Sequence, residues 1–343
     1  MEHRLSVGKL LNEKGQLCEA GYATSLVREY DRRDIKAPAL RIKEWDYYLI
    51  YNDRFGIALT LDDNSYMSML SASILDFTKP AEKTVSPIGV LPLGKTNLPS
   101  SSACGVSHLV IGKSDFTFTV ENGVRHLKAH LDNFADGKPF DADILLTEEP
   151  EDSMVIATPF PDAPKAFYYN QKIVGMRASG TVNAAGTEYR FDPKDSFGLL
   201  DWGRGVWTYS NTWYWGAGHG EVDGHVVGFN IGYGFGDTSA ASENMIFVDG
   251  KAHKFEKVSF NIPKTADGKD NFLAPWTFTS SDGRFEMDFT PILDRASRTS
   301  VLVIESDQHQ VFGKFNGRMI LDDDSVMELK DFLGFAEKVK NRW

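Results

Sequence analysis

Cysteine is nearly missing from this sequence: 343 residues include two, Cys18 and Cys104, far apart in the chain. That excludes a disulfide framework and fits a reduced, cytoplasmic protein. Long apolar runs are missing too. No uninterrupted stretch approaches the roughly 20 residues that span a bilayer, so no integral membrane association is expected. The opening Met1-Glu2-His3-Arg4-Leu5-Ser6 lacks the apolar segment of a signal peptide. Positive charge is scarce: 37 Lys and Arg stand against 48 Asp and Glu, a net charge of −11. Phosphate binding needs clustered basic side chains, so nucleic acid is not an expected partner, and anionic membrane surfaces are disfavoured for the same reason.

Aromatic residues are abundant, with 23 Phe, 12 Tyr and 7 Trp, and many fall at period two. In Asp115-Phe116-Thr117-Phe118-Thr119-Val120-Glu121 the apolar side chains share one face, and Arg284-Phe285-Glu286-Met287-Asp288-Phe289-Thr290 repeats the scheme. Turn pairs separate such runs: Asn122-Gly123, Asp136-Gly137, Asp223-Gly224, Asp249-Gly250, Asp267-Gly268, Asp282-Gly283 and Asn316-Gly317. These residues tolerate the positive φ of a tight hairpin, so the pattern is that of an antiparallel, all-β protein built as barrels or sandwiches. Helix is scarce. The spacing of Ala23, Leu26, Val27 and Tyr30 predicts a short helix near 20–31, and Leu333 to Lys340 reads as a half-turn or a strand.

The length favours two domains. An aromatic-x-aromatic strand, a turn and a returning strand occur once in each half, opening at Trp45-Asp46-Tyr47 and again at Trp213-Tyr214-Trp215. Repetition on this scale predicts two copies of one module. The polar, proline-bearing stretch Phe191 to Ser196 is the best boundary, giving domains over 1–195 and 196–343.

Two motifs imitate chemistry. Gly89-Val90-Leu91-Pro92-Leu93-Gly94-Lys95-Thr96 matches a phosphate-binding loop, but prolines at 87, 92 and 99 leave no room for the helix that such a loop needs. His126 and His130 have the spacing of a helical metal pair. On a strand they stand roughly 13 Å apart, so no metal site is expected.

The distinctive stretch is 197–244. Trp202, Trp207, Trp213 and Trp215 fall within fourteen residues, interleaved with glycines. Glycine alternating with aromatic residues on strands means close backbone approach and large ring faces. The rings either plug a core or line a cavity whose polar groups come from Asp201, Arg204, Asn211, Asn230, Tyr233 and Glu243.

Arg177-Ala178-Ser179-Gly180-Thr181-Val182, then Asp201-Trp202-Gly203 and Trp213-Tyr214-Trp215, resemble the carotenoid hydratases and related two-lipocalin proteins, among them tocopherol-cyclase-like and Diels–Alderase-like members. Over its whole length the chain is similar to a bacterial family known as a domain of unknown function. That likeness runs through Leu10 to Gly15, Glu44 to Tyr48, Tyr233 to Thr238 and Gly334 to Glu337. The resemblance implies two tandem lipocalin-like antiparallel barrels with few short helices. It also implies a cofactor-free site for a small hydrophobic molecule such as a polyene, prenyl compound or lipid. In that picture Asp201 matches an acidic residue of the superfamily and Trp202-Gly203 its Trp-Gly pair, although relatives place two residues between the acid and the tryptophan.

Protonating an alkene needs a neutral carboxylic acid in a dry pocket and ring faces for the developing cation. Asp201, Arg204 and Glu243 are the catalytic candidates, and Trp202, Trp207, Asn211, Trp213, Trp215, Asn230 and Tyr233 the binding ones. If Asp201 and Arg204 pair, Glu243 or Glu337 becomes the better acid. A hydratase, isomerase or cyclase is the leading expectation. A lipid carrier and a carbohydrate-active or carbohydrate-binding protein are the alternatives.

Overall fold

The computed structural model describes residues 2–301 and 304–342. Its regular structure is almost all antiparallel strand, with two single-turn 3-10 segments at Arg32–Asp34 and Ala39–Arg41 among the described residues. Two large curled sheets form two lipocalin-like barrels. The first runs from Ala81–Val85 through Met67–Asp76, Phe55–Asp63, Ile42–Tyr51, Phe197–Val206, Phe167–Ala184, Lys138–Thr147, Val124–Ala135 and Ser114–Glu121 to Gly105–Ile111. The second runs from Lys251–Lys254 through Met245–Val248, His225–Tyr233, Ser210–Val222, Val326–Arg342, Ile304–Ile320, Phe285–Val301 and Trp276–Ser280 to Val258–Asn261. In both, the strand opened by the aromatic repeat pairs with the last strand of its own sheet: Ile42–Tyr51 with Phe197–Val206, and Ser210–Val222 with Val326–Arg342.

The alternation works as the sequence predicts. Phe116 and Phe118 are buried while Asp115 is exposed, and Phe285, Met287 and Phe289 are buried beside exposed Asp288. At four of the turn pairs (122–123, 136–137, 223–224 and 249–250) both residues take positive φ. Asn316-Gly317 is no turn. It lies inside Ile304–Ile320 at a break in register.

Two further readings change, and one left open is decided. Residues 20–31 form short strands at Gly21–Ala23 and Arg28–Glu29 instead of a helix; Gly21–Ala23 pairs with Met154–Pro159, and edge pairing overrides four apolar residues at helical spacing. Leu333 to Lys340 is strand. Phe197–Val206, beyond the expected boundary, is hydrogen-bonded between Ile42–Tyr51 and Phe167–Ala184, so the chain passes to the second sheet only after Val206.

The phosphate-loop imitation wraps a carboxylate of the protein itself. Asp63 Oδ2 accepts from the Gly94 amide at 2.9 Å and the Thr96 hydroxyl at 2.6 Å, while Lys95 points into solvent. His126 and His130 sit on an outer strand face, paired with Asp143 and Asp141. Cys18 and Cys104 are exposed and unpaired. No helix of the described residues is long and apolar enough to cross a membrane.

The barrels pack side by side. Ile42–Tyr51 is buried on both faces: Tyr48 and Ile50 point into the first barrel, while Tyr47, Leu49 and Tyr51 meet Trp215, Ala217, Phe312, Leu333 and Phe335 of the second. Tyr51 stacks on His219 with ring centroids 4.1 Å apart.

Candidate functional site

Both barrel interiors are packed among the described residues. The second is filled by Phe229, Phe260, Trp276, Phe278, Phe285, Phe289 and Phe315. The first is filled by Phe116, Phe118, Leu127, Phe140 and Ile144, with a buried charged network among them. Arg204, fully buried, donates to Asp46 at 3.1 Å and to the Pro99 carbonyl at 2.9 Å, and Arg125 pairs with Glu149 at 2.8 Å. A void of ≈ 10 Å³ remains beside Tyr48, Ser107, Arg125 and Trp202, room for one water at most.

These contacts settle where the strand Phe197–Val206 sends its side chains. Period-two alternation places Asp201 on one face and Trp202 and Arg204 on the other. Asp201 therefore does not pair with Arg204. Trp202 lies in the first barrel, edge-on to Tyr30 and Tyr169, with the Arg204 guanidinium 4.4 Å from its ring centre. Two further binding candidates also leave the site. Tyr233 stacks on Tyr214 at 4.5 Å against Phe260 in the second core. Asn211 folds back on Thr208, donating to its carbonyl and accepting from its hydroxyl, both at 2.8 Å.

The rest converge between the barrels. Lys172 faces Asp201 in register and pairs with it at 2.8 Å, and the Asn170 amide donates to the same carboxylate oxygen at 2.7 Å. The Lys172 ammonium also sits 3.7 Å from the centre of the Trp215 ring. Trp215 Nε1 donates to Asn230 at 2.8 Å, and Asn230 donates to the Glu243 main-chain carbonyl at 2.9 Å. Glu337, in register with Trp215, accepts from Trp213 Nε1 at 3.0 Å and from Gln310 Nε2 at 3.4 Å. Gln310 is oriented by Arg295, which donates to its oxygen at 2.9 Å, and its amide also reaches the Tyr47 hydroxyl at 3.2 Å. Two glycines make the space. A Cβ on Gly203 would lie 1.9 Å from the Trp45 ring, and one on Gly232 would lie 3.3 Å from the Glu243 carboxyl.

Beside the carboxyl groups stands an aromatic wall. Trp207 meets Trp45, Trp213 and Phe235 at 5.4, 5.7 and 4.8 Å, and Tyr168 stacks on Trp45 at 6.2 Å. Asp201, Glu243 and Glu337 keep 8%, 7% and 9% exposure, unlike Trp202 at 1%. Burial pushes the Glu243 and Glu337 carboxyls up to about 7. Lys172 opposes the rise and the charge of Asp201 adds to it, with the Trp213 hydrogen bond a further opposing effect on Glu337. Burial raises the Tyr168 hydroxyl well above its usual range, and the charges of Glu243, Asp201 and Glu337 add to that.

A wider groove of ≈ 260 Å³ opens between Glu148–Glu151 and Val226–Gly228, but it lacks tryptophans. Its acids Glu149, Glu151 and Asp249 are engaged with Arg125, Lys251 and His225.

Sequence reasoning missed Lys172, Asn170, Tyr168, Tyr47, Gln310, Trp45 and Phe235 as site residues. One signal was there: Tyr168, Asn170 and Lys172 alternate within the run Phe167-Tyr168-Tyr169-Asn170-Gln171-Lys172-Ile173-Val174, which is buried throughout. A lysine in such a strand needs a buried partner.

Fold and site together define a two-barrel, lipocalin-like protein with an acidic, aromatic-walled centre between its barrels. The chain belongs to the family described as a domain of unknown function, DUF2804, whose model matches residues 2–343. No curated protein matches it. Its structure is similar to that of a protein assigned as AttH from Nitrosomonas europaea, with 12% identity and a TM-score of 0.53 over 90% of this chain and 96% of that one. Kievitone hydratase from Nectria haematococca aligns over 88% of each chain at 12% identity and a TM-score of 0.47. Likeness at that identity speaks to the fold alone.

Proposed function

We propose that this protein is a hydratase- or isomerase-type enzyme that moves protons on an unsaturated, hydrophobic small molecule held between the barrels, without a cofactor. The observation that carries the reading is that Glu243 and Glu337, two buried carboxyl groups that both feel the charges of Lys172 and Asp201, have unlike hydrogen-bonding surroundings. Glu337 accepts two N–H bonds, which suits a carboxylate acting as base. The Asn230 amide donates to the Glu243 main-chain carbonyl, so the Glu243 carboxyl has weaker help for its charged form than Glu337 and holds a proton to give. In a hydration, the Glu243 carboxyl protonates an alkene carbon and the cation forms against the faces of Trp213 and Tyr168. Water then adds to that cation and loses its proton to Glu337. One water is added, and proton exchange between the two carboxyls and solvent restores the start. Asp201, committed to Lys172, positions the lysine and adds negative charge. Exposed free thiols fit a reducing, cytoplasmic setting.

The test is incubation with acyclic polyenes and prenylated aromatics in D2O. The expected products carry one added water, or a shifted double bond, with one carbon-bound deuterium. Glu243→Gln should abolish them while the fold persists. Tight binding without turnover, unchanged in Glu243→Gln, would instead establish a carrier.

A further inference from the structure

Acidic residues run through this chain at 48 in 343, yet none occurs from Lys83 to Ser114, the longest acid-free stretch of the sequence. That same stretch exposes aliphatic side chains. Ile88, Val90, Leu91, Leu93, Val106 and Val110 are 44–81% exposed, six of the thirteen large exposed hydrophobic residues among the described ones. They share one outer surface of the first barrel. Ile88–Val90 pairs with Met67–Asp76, and Gly105–Ile111 with Ser114–Glu121. The two short strands lie close together, since a Cβ on Gly89 would meet the Ile111 side chain at 3.6 Å. Gly89 faces buried Ser68, so alternation turns Ile88 and Val90 outward, and Val106 and Val110 turn outward from the other strand. The loop beyond Val90 holds its leucines out. Leu91 and Leu93 take left-handed φ, 50° and 53°, on either side of Pro92, a conformation uncommon for leucine. Their amides donate to the Tyr66 and Ser65 carbonyls at 3.0 and 3.2 Å, and Asp63 holds Gly94 and Thr96 just beyond. The leucines are thus displayed on an anchored loop instead of folded onto the barrel.

Three lysines, Lys83, Lys95 and Lys113, punctuate the stretch, and all are exposed. Among the described residues Lys113 alone of the three has an ion-pair partner, Asp132, at 3.6 Å in an exposed and therefore weak pair. Of the acids that flank the stretch, Asp115 is held by His108 at 3.1 Å and Glu82 by the Thr84 hydroxyl at 2.8 Å. A chain of net charge −11 is repelled as a whole by an anionic surface, but this face is the exception. We propose that it docks on an anionic phospholipid surface, with the Ile88–Leu93 segment inserted among the acyl chains and Lys95 and Lys113 at the level of the phosphates. The chemistry of the patch selects that occupant. Its six side chains include no aromatic ring and no arginine, the groups that anchor protein interfaces, and it is bordered by lysine, which such interfaces tend to exclude. A second copy would bring the same lysines against each other. Pro87 and Pro92, with no N–H to give, also blunt strand pairing along Ile88–Val90. An aliphatic tip bordered by ammonium groups matches an apolar layer beneath a sheet of phosphates. The docking requires neither barrel to open and is independent of the acid–base reading above.

The experiment is co-sedimentation of the full chain with phosphatidylcholine vesicles and with vesicles in which about a third of the lipid is phosphatidylserine. Binding should be about tenfold tighter to the anionic vesicles and should weaken as salt rises from about 0.05 to 0.5 M. Leu91→Asn with Leu93→Asn removes the apolar tip while supplying a residue that accepts left-handed φ. The fold should therefore persist, read as an unchanged melting temperature, while binding to both vesicles falls at least about tenfold. Lys95→Gln with Lys113→Gln should abolish the preference for phosphatidylserine and leave the weaker binding to phosphatidylcholine. Leu273→Asn, at an exposed leucine in a loop of the second barrel, should change nothing. No sedimentation with either vesicle, or sedimentation unchanged in the Leu91→Asn, Leu93→Asn variant, would overturn the proposal. So would a dimer in solution that the same variant dissolves, because the face would then belong to a second copy.

Discussion

Lys172 and Asp201 face each other in register on adjacent strands and pair at 2.8 Å between the barrels, while Arg204, three residues beyond Asp201, turns into the first barrel. One strand thus supplies two separate buried charge networks, one on each face.

Because Lys172 is buried, removing its partner should cost more than the pair contributes. Asp201→Asn is expected to lose about 3–5 kcal/mol in urea unfolding. The double variant Asp201→Asn with Lys172→Met should recover most of that. Equal losses in single and double variants would show that the ion pair is not what holds this part of the interface.

Trp213 and Trp215 share a strand face but not a role. Trp215 is buried against Tyr47 and Phe335, at 6.1 and 4.8 Å, beneath the Lys172 ammonium. Trp215→Ala should therefore cost roughly 3–5 kcal/mol of stability. Half-buried Trp213→Phe removes the donor to Glu337 with little lost packing. It should leave stability within about 1 kcal/mol while weakening turnover or probe binding. Denaturation curves for the two variants side by side decide the matter.

The two glutamates also set a pH dependence. Each folded-state carboxyl titrates near 7, above its ordinary 4.5, so the folded protein holds protons that the unfolded chain has released in that window. Their contribution to stability is full below about pH 4.5, falls as pH rises to 7 and is level above. His219, pushed down to about 3 by burial, acts in the opposite direction, its contribution being lost as pH falls from 6.5 to 3. The difference between unmodified protein and the Glu243→Gln, Glu337→Gln double variant isolates the glutamates. The unmodified protein should lose about 2–4 kcal/mol more than the variant between pH 5 and 7. Parallel stability profiles would refute the assignment.

Much of this molecule is local in origin and legible before folding. Phe116 and Phe118 alternate with polar residues because a strand presents alternate faces. Asp223-Gly224 turns because those two residues tolerate positive φ. The aromatic runs at Trp45 and Trp213 lie on the strands Ile42–Tyr51 and Ser210–Val222, one in each sheet. The failures have causes of the same physical kind. Residues 20–31 carry helical spacing, yet their backbone finds partners on a sheet edge. Phe197–Val206 follows the polar break that looked like a boundary, yet completes the first sheet between two strands already formed.

The site divides along the same line. Its chemical types were present in 197–244, and Asp201, Trp207, Trp213, Trp215, Asn230 and Glu243 do meet. Which faces they occupy relative to Arg204, Trp202 and Tyr233 depended on strand phase. Their partners Lys172, Tyr47, Gln310 and Glu337 come from strands far away in the chain. The sequence by itself determined an all-β, acidic, aromatic-rich chain with a repeated module, because periodicity, turn chemistry and composition act over a few neighbouring residues. The tertiary structure alone decided that both barrel interiors are filled and that the acidic centre lies between them. That outcome depends on which outer strand faces are apolar enough to be buried against each other, and on which charges find partners once water is excluded.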